Sequence, residues 1–216
     1  MRELGTVEDF LDELATLYHQ AKSAYILLEE NNSDQSAYMG PINEFRNALD
    51  HIMKIISNKN DIPYCRKEYD GAKRHLLRAG SDSYEFACSE MIIFIGKLIH
   101  QYTGEEIVSV LPNYYEMRLK VIEVQEKIAE YRTIKELELK QSNVIEEEDN
   151  DEKVNIFNYY RQATVELIEY TKAILNKLPF IVELHKKNTR VRNIGWIIGI
   201  VGAAIGIAGI IIALVK

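Results

Sequence analysis

Two groups of residues in this sequence carry side chains suited to proton transfer or to phosphate. The first is Arg46-Asn-Ala-Leu-Asp-His51. Histidine can move a proton near neutral pH, and a guanidinium holds phosphate through paired hydrogen bonds. On an ideal helix a spacing of five residues sets the two side chains about 140° apart, near enough to border one cleft but not to stack. The second group is Arg66, Lys67, Lys73, Arg74, His75 and Arg78, a concentration of positive charge with Tyr64, Tyr69 and Tyr84 nearby. Cations that bond a phosphate backbone, beside rings that stack on bases, suit a nucleotide or a short single-stranded DNA ligand. Arg46 belongs with this ligand-binding set if it does no chemistry. The competing reading is a basic helix face paired with acidic helices.

Other chemistry has little to stand on. Cys65 and Cys88 form neither a CxxC nor a metal set, and the histidines are scattered, so no metal and no cofactor are expected. There is no P-loop, GxSxG, HExxH or GxGxxG motif and no catalytic triad. Residues 46–51 resemble the R-N-x-x-x-H signature of HEPN ribonucleases. That resemblance implies that Arg46 and His51, paired with a second copy across a dimer, act at the 2′-OH and scissile phosphate of RNA. In that family the motif comes late in the bundle, whereas here it lies in an early helix. A non-enzymatic protein is therefore the first reading, and the ribonuclease its alternative.

The elements that must position these residues are all helical. Thr6-Val-Glu-Asp9 opens a first helix with a capping-box pattern, and Phe10, Leu11, Leu14, Leu17, Tyr18, Ala21, Ala24, Tyr25 and Leu28 recur at helical spacing. Pro41 suits the first turn of a second helix, whose apolar face is expected to be Ile42, Phe45, Leu49, Ile52, Ile55 and Ile56. After a break at Asn58–Pro63, a third helix is expected from Tyr64 to about Tyr102, with Gly71 and Gly80 as points where it could bend and Thr103-Gly104 as its stop. Pro112 separates a short helix from a long one running to about Val144, and the acidic run at 146–152 reads as a solvated turn and hinge. A last helix follows from about Val154. The expected organisation is a helical sensor domain at 1–111, a helical stalk at 112–192 and a membrane helix at 193–216.

That final stretch carries no charge from Ile194 to Val215, long enough at ~1.5 Å per residue to cross a hydrocarbon core. Gly195, Gly199, Gly202, Gly206 and Gly209 fall on one stripe, where small residues let membrane helices pack closely. Upstream, Phe157, Tyr160, Thr164, Leu167, Thr171, Ile174, Leu178 and Ile181 step by three and four in the same register, continuing through His185, Asn188 and Arg192. One seam is thus expected to run from stalk to membrane, joining copies into a homo-oligomer such as a tetramer, with His185, Asn188 and Arg192 at its mouth. Pro179 is where continuity is most exposed to a kink. The amino terminus lacks the pattern of a signal peptide, and Lys186, Lys187, Arg190 and Arg192 flank the span, so a single-pass protein with a cytoplasmic amino terminus is expected in a bacterial inner membrane. The net charge of −7 argues against a general nucleic-acid coat.

The whole arrangement, a helical module with a basic patch, a helical stalk and a glycine-seamed C-terminal span, resembles the Hailong effectors. These are membrane effectors of bacterial anti-phage defence that work with a nucleotidyltransferase. The resemblance implies an ion channel that arrests growth and is gated by a short oligodeoxyadenylate on its cytosolic part, with the nucleotidyltransferase encoded nearby. A helical tethering protein of SNARE type is a further alternative, because it too places heptads before a C-terminal anchor.

Overall fold

A computed structural model describes the backbone of residues 5–31, 37–140 and 150–214, and the side chains of residues 5–30, 37–134 and 153–190. The described residues are all-helical, 91% helix with no strands. The helices are α1 (Val7–Asn31), α2 (Met39–Ser57), α3 (Ile62–Ile99), α4 (Gly104–Val110), α5 (Tyr114–Lys140) and α6 (Asn150–Leu214).

Each start has a local cause. At α1 the Thr6 hydroxyl accepts from the Asp9 backbone N–H at 3.1 Å while the Asp9 carboxylate accepts from the Thr6 N–H at 3.1 Å. At α3 the Asp61 carboxylate accepts from the Tyr64 N–H at 3.0 Å, with proline in the first turn. Thr103 is the N-cap of α4 rather than only the end of α3, because its hydroxyl and the Glu106 carboxylate satisfy each other's backbone N–H groups. Pairs of this kind satisfy donors that a helix start leaves open, for about 1 kcal/mol each.

Helix α3 is the centre of the bundle. It stays unbroken from Ile62 to Ile99, and Gly71 and Gly80 serve close approach instead of bending. At Gly80 an added Cβ would collide with the Phe157 ring of α6 and lie 3.3 Å from the Ala21 Cα of α1, so three helices meet where a side chain is missing. Two clusters form the core. Phe10, Leu14, Ala48, Ile55, Cys65, Tyr69, Ala72 and Leu76 join α1, α2 and the first half of α3. A larger one joins Leu28, Leu77, Met91, Ile107, Met117, Val124, Phe157, Leu167 and Ile181 with their neighbours, drawing on both sides of the expected division at 111/112. Each fully buried large side chain contributes roughly 1.5–3 kcal/mol.

Two faces differ from expectation. On α2 only Phe45, Ile52 and Ile55 of the expected apolar set turn inward, with Pro41 and Ala48. Ile42, Leu49 and Ile56 remain exposed. On α6 the seam residues Phe157, Tyr160, Thr164, Leu167, Ile174 and Ile181 are buried, but in this chain's own core. They occlude intramolecular surface, so that part of the seam is not open to another copy.

Helix α6 continues through Pro179 to Leu214 without a break. The expected membrane helix at 193–216, with Arg192, Gly195, Gly199, Gly202, Gly206 and Gly209, lies outside the residues whose side chains are described, as does the acidic run at 146–152. Among the described residues no helix is long and apolar enough to cross a membrane.

Candidate functional site

Helices α2 and α3 form an antiparallel pair, and this brings His51 and His75 together. Their rings stack with centroids 5.3 Å apart and planes inclined by 27°. Each imidazole takes a carboxylate from the opposite helix. His51 Nδ1 lies 2.7 Å from Glu68 Oε2, and His75 Nδ1 lies 2.6 Å from Glu44 Oε2. The residues share faces for a simple reason: Glu44 and His51 are two turns apart on α2, and Glu68 and His75 two turns apart on α3. Gly71 completes the site, since a Cβ there would come within 2.6 Å of the His51 ring.

A carboxylate on Nδ1 fixes the orientation of an imidazole and leaves Nε2 to face a ligand. Among the described residues neither ring uses Nε2 in a hydrogen bond. Lys54 Nζ approaches Glu68 at 3.9 Å and Arg78 Nη1 approaches Glu44 at 3.9 Å, so each carboxylate is shared between an imidazole and a cation. Both histidine side chains keep about a quarter of their surface in solvent, 25% and 26%. Two oriented, accessible imidazoles beside cations can bind phosphate oxygens or pass protons. No group of three or more metal-ligating side chains occurs among the described residues.

The two groups singled out in the sequence are regrouped by this packing. His51 comes from the first and His75 with Arg78 from the second. Arg46 does not join them: it is exposed on the far side of α2 and makes no ion pair among the described residues. The basic cluster itself divides. Lys67 and Arg74 are exposed and share a stripe of α3 with Arg78, beside the histidine pair. Lys73 and Arg66 turn toward α1. Lys73 Nζ bonds Glu13 at 2.8 Å and the Tyr69 hydroxyl at 3.3 Å, and the Arg66 guanidinium lies 5.7 Å from the Phe10 ring centre and 5.8 Å from that of Tyr69. Tyr69 is buried, and burial pushes its phenol up, away from ionisation. Tyr84 is likewise buried, against Phe157, so neither ring is open to stack on a base.

A second polar cluster fixes α6 to α4. Glu106 Oε2 accepts from the Thr103 N–H at 3.1 Å and meets His185 Nδ1 at 3.0 Å, while Oε1 accepts from the Asn188 amide at 3.0 Å. The Tyr102 ring meets His185 edge-on at 5.4 Å. The hydrogen bond from His185, with those from Thr103 and Asn188, holds the Glu106 carboxyl down at about 2 against the opposing effect of burial. His185 and Asn188, expected at the mouth of an oligomer, are thus engaged within their own chain.

Glu44 and Glu68 carried no signal in the sequence, because their partners lie on another helix, and Gly71 carried only that of a possible bend. Glu106 did carry one, the Thr-x-x-Glu of a capping box. Comparison with protein families, curated proteins and solved structures finds no match to this chain.

Proposed function

We propose that this chain is a membrane effector: its helical domain binds a nucleotide or oligonucleotide at the α2–α3 surface, and α6 carries the bound state to an apolar C-terminal segment that assembles into an ion channel. The observation that carries the reading is α6 itself. One helix supplies Phe157, Leu167, Ile174 and Ile181 to the bundle core, is held to α4 by Glu106, and continues to Leu214. A rigid helix shared between core and tail transmits any repacking of the bundle. The apolar sequence at 194–215 supports membrane insertion, and its glycine stripe supports association there.

On this reading the ligand meets Lys67, Arg74, Arg78, His51 and His75. With no charge in the span, opening depends on rotation of the tails or on wetting of an apolar constriction. Growth arrest during phage infection would be the physiological outcome. The experiment is ion flux from liposomes holding the full chain, with and without short single-stranded DNA. Flux that responds to the DNA and is lost in Gly202→Leu is the expected result, whereas equal flux from Gly202→Leu and the unaltered chain would overturn the channel.

A further inference from the structure

Helix α2 has two apolar seams, and only one is used. Phe45, Ala48, Ile52 and Ile55 pack on α3 and α1, and Pro41 is buried. Met39, Ile42, Leu49, Met53 and Ile56 face solvent, with exposures of 57, 36, 56, 52 and 41%. Together with Arg46, also exposed, they step by three, four, three, four and three along the helix, which is the a/d spacing of a two-helix seam. Such a contiguous exposed stripe marks an interaction surface. Its chemistry selects the occupant. A lipid surface takes a broader apolar face flanked by several basic residues, whereas this stripe is narrow and its flank holds Asn43, Asn47, Asp50, Ser57 and a single cation, Lys54, which is paired with Asp50 at 2.9 Å. The seam of α6 from Phe157 to Ile181 is filled within the chain, whereas the second seam of α2 is open along the whole helix.

We infer that α2 pairs in antiparallel fashion with α2 of a second copy of this chain. The two-fold axis then passes between residues 47 and 48, so that Ile42 packs on the partner's Met53, Met39 on the partner's Ile56, and Arg46 beside the partner's Leu49. Arg46 sets the direction. It is the charged residue of the seam, lies near its middle and has no ion pair among the described residues. Parallel pairing would set it against the partner's Arg46. Antiparallel pairing lays its stem over the partner's Leu49 and brings its guanidinium to the partner's exposed Asp50, a carboxylate that Lys54 of its own helix contacts at 2.9 Å and that has a second oxygen to share. The twofold makes two such contacts. This pairing does not depend on the C-terminal segment.

Site-directed crosslinking of the full chain in mild detergent tests it, using a short bis-maleimide. Cys65 and Cys88 are buried and leave introduced cysteines as the reactive ones. Leu49→Cys chains should crosslink to a product of twice the chain mass. Met39→Cys chains alone should not, because antiparallel pairing sets those sites about 25 Å apart along the helix, but a mixture of Met39→Cys and Ile56→Cys chains should. Arg46→Glu should lower the Leu49→Cys yield several-fold, and adding Asp50→Arg should restore it. Absence of the Leu49→Cys dimer, a product of another mass, or crosslinking of Met39→Cys alone would each overturn the pairing. A dimer that persists in Gly202→Leu chains supports it even if channel activity is lost.

Discussion

The imidazole of His51 lies over that of His75, ring centres 5.3 Å apart, and it fits there because position 71 has no side chain. In Gly71→Ala the new methyl would meet three atoms of the His51 ring at 2.6–2.9 Å. The ring can swing outward, which separates His51 from Glu68. The expected outcome is a modest loss of about 1 kcal/mol in urea unfolding, with displaced His51 ring resonances in NMR and weaker binding of short single-stranded DNA.

Gly80→Ala should cost more, about 2–3 kcal/mol. Its methyl meets not only the Phe157 ring but the Ala21 Cα, and backbone in a packed helix cannot swing away. Thermal unfolding of both alanine variants under one condition should rank Gly80→Ala below Gly71→Ala.

Glu106→Gln removes the charge that His185, Thr103 and Asn188 converge on. A loss of about 1–3 kcal/mol at neutral pH is expected from the broken charge-assisted bonds. The folded carboxyl is held at about 2, below its ordinary 4.5, so the unfolded chain binds the proton first as pH falls. The contribution of Glu106 is therefore fully present above about 4.5 and fades toward 2. Denaturant titrations across that range should show the unaltered chain and Glu106→Gln converging at the acid end.

Glu44 holds His75 through Nδ1 and approaches Arg78, so its negative charge opposes a phosphate that comes to His75 Nε2 and the Arg78 guanidinium. Glu44→Gln should tighten binding of short single-stranded DNA several-fold, and Arg74→Ala should weaken it. Calorimetry at two salt concentrations reads both effects, and the salt dependence should be shallower for Arg74→Ala by about one phosphate contact.

Both cysteines should be silent in the native protein. Cys88 is buried against Thr164 at 3.2 Å, and burial pushes its thiol up to about 12, which leaves almost no thiolate at pH 8. Cys65 is equally buried. Maleimide at pH 8 should modify neither until denaturant is added, as mass spectrometry would show.

The sequence by itself determined the helices and several of their ends, because apolar period and capping groups act within one or two turns. Thr6 with Asp9, Asp61 ahead of Pro63, and Thr103 with Glu106 are all local. The buried stripe of α6 from Phe157 to Ile181 was legible for the same reason. Its partner was not: the three-and-four spacing that fits a second copy fits α3 and α4 equally well, and only packing chose between them. Helix α2 makes the point most sharply. Apolar residues recur along two of its seams, and the antiparallel seat on α3 buried Phe45, Ile52 and Ile55 while leaving Ile42, Leu49 and Ile56 in solvent. The same seat joined His51 to His75 and left Arg46 in solvent. Helical period fixes the direction in which each side chain leaves its own axis. The tertiary structure decides which directions meet another helix, and with that which histidines, carboxylates and cations share a site.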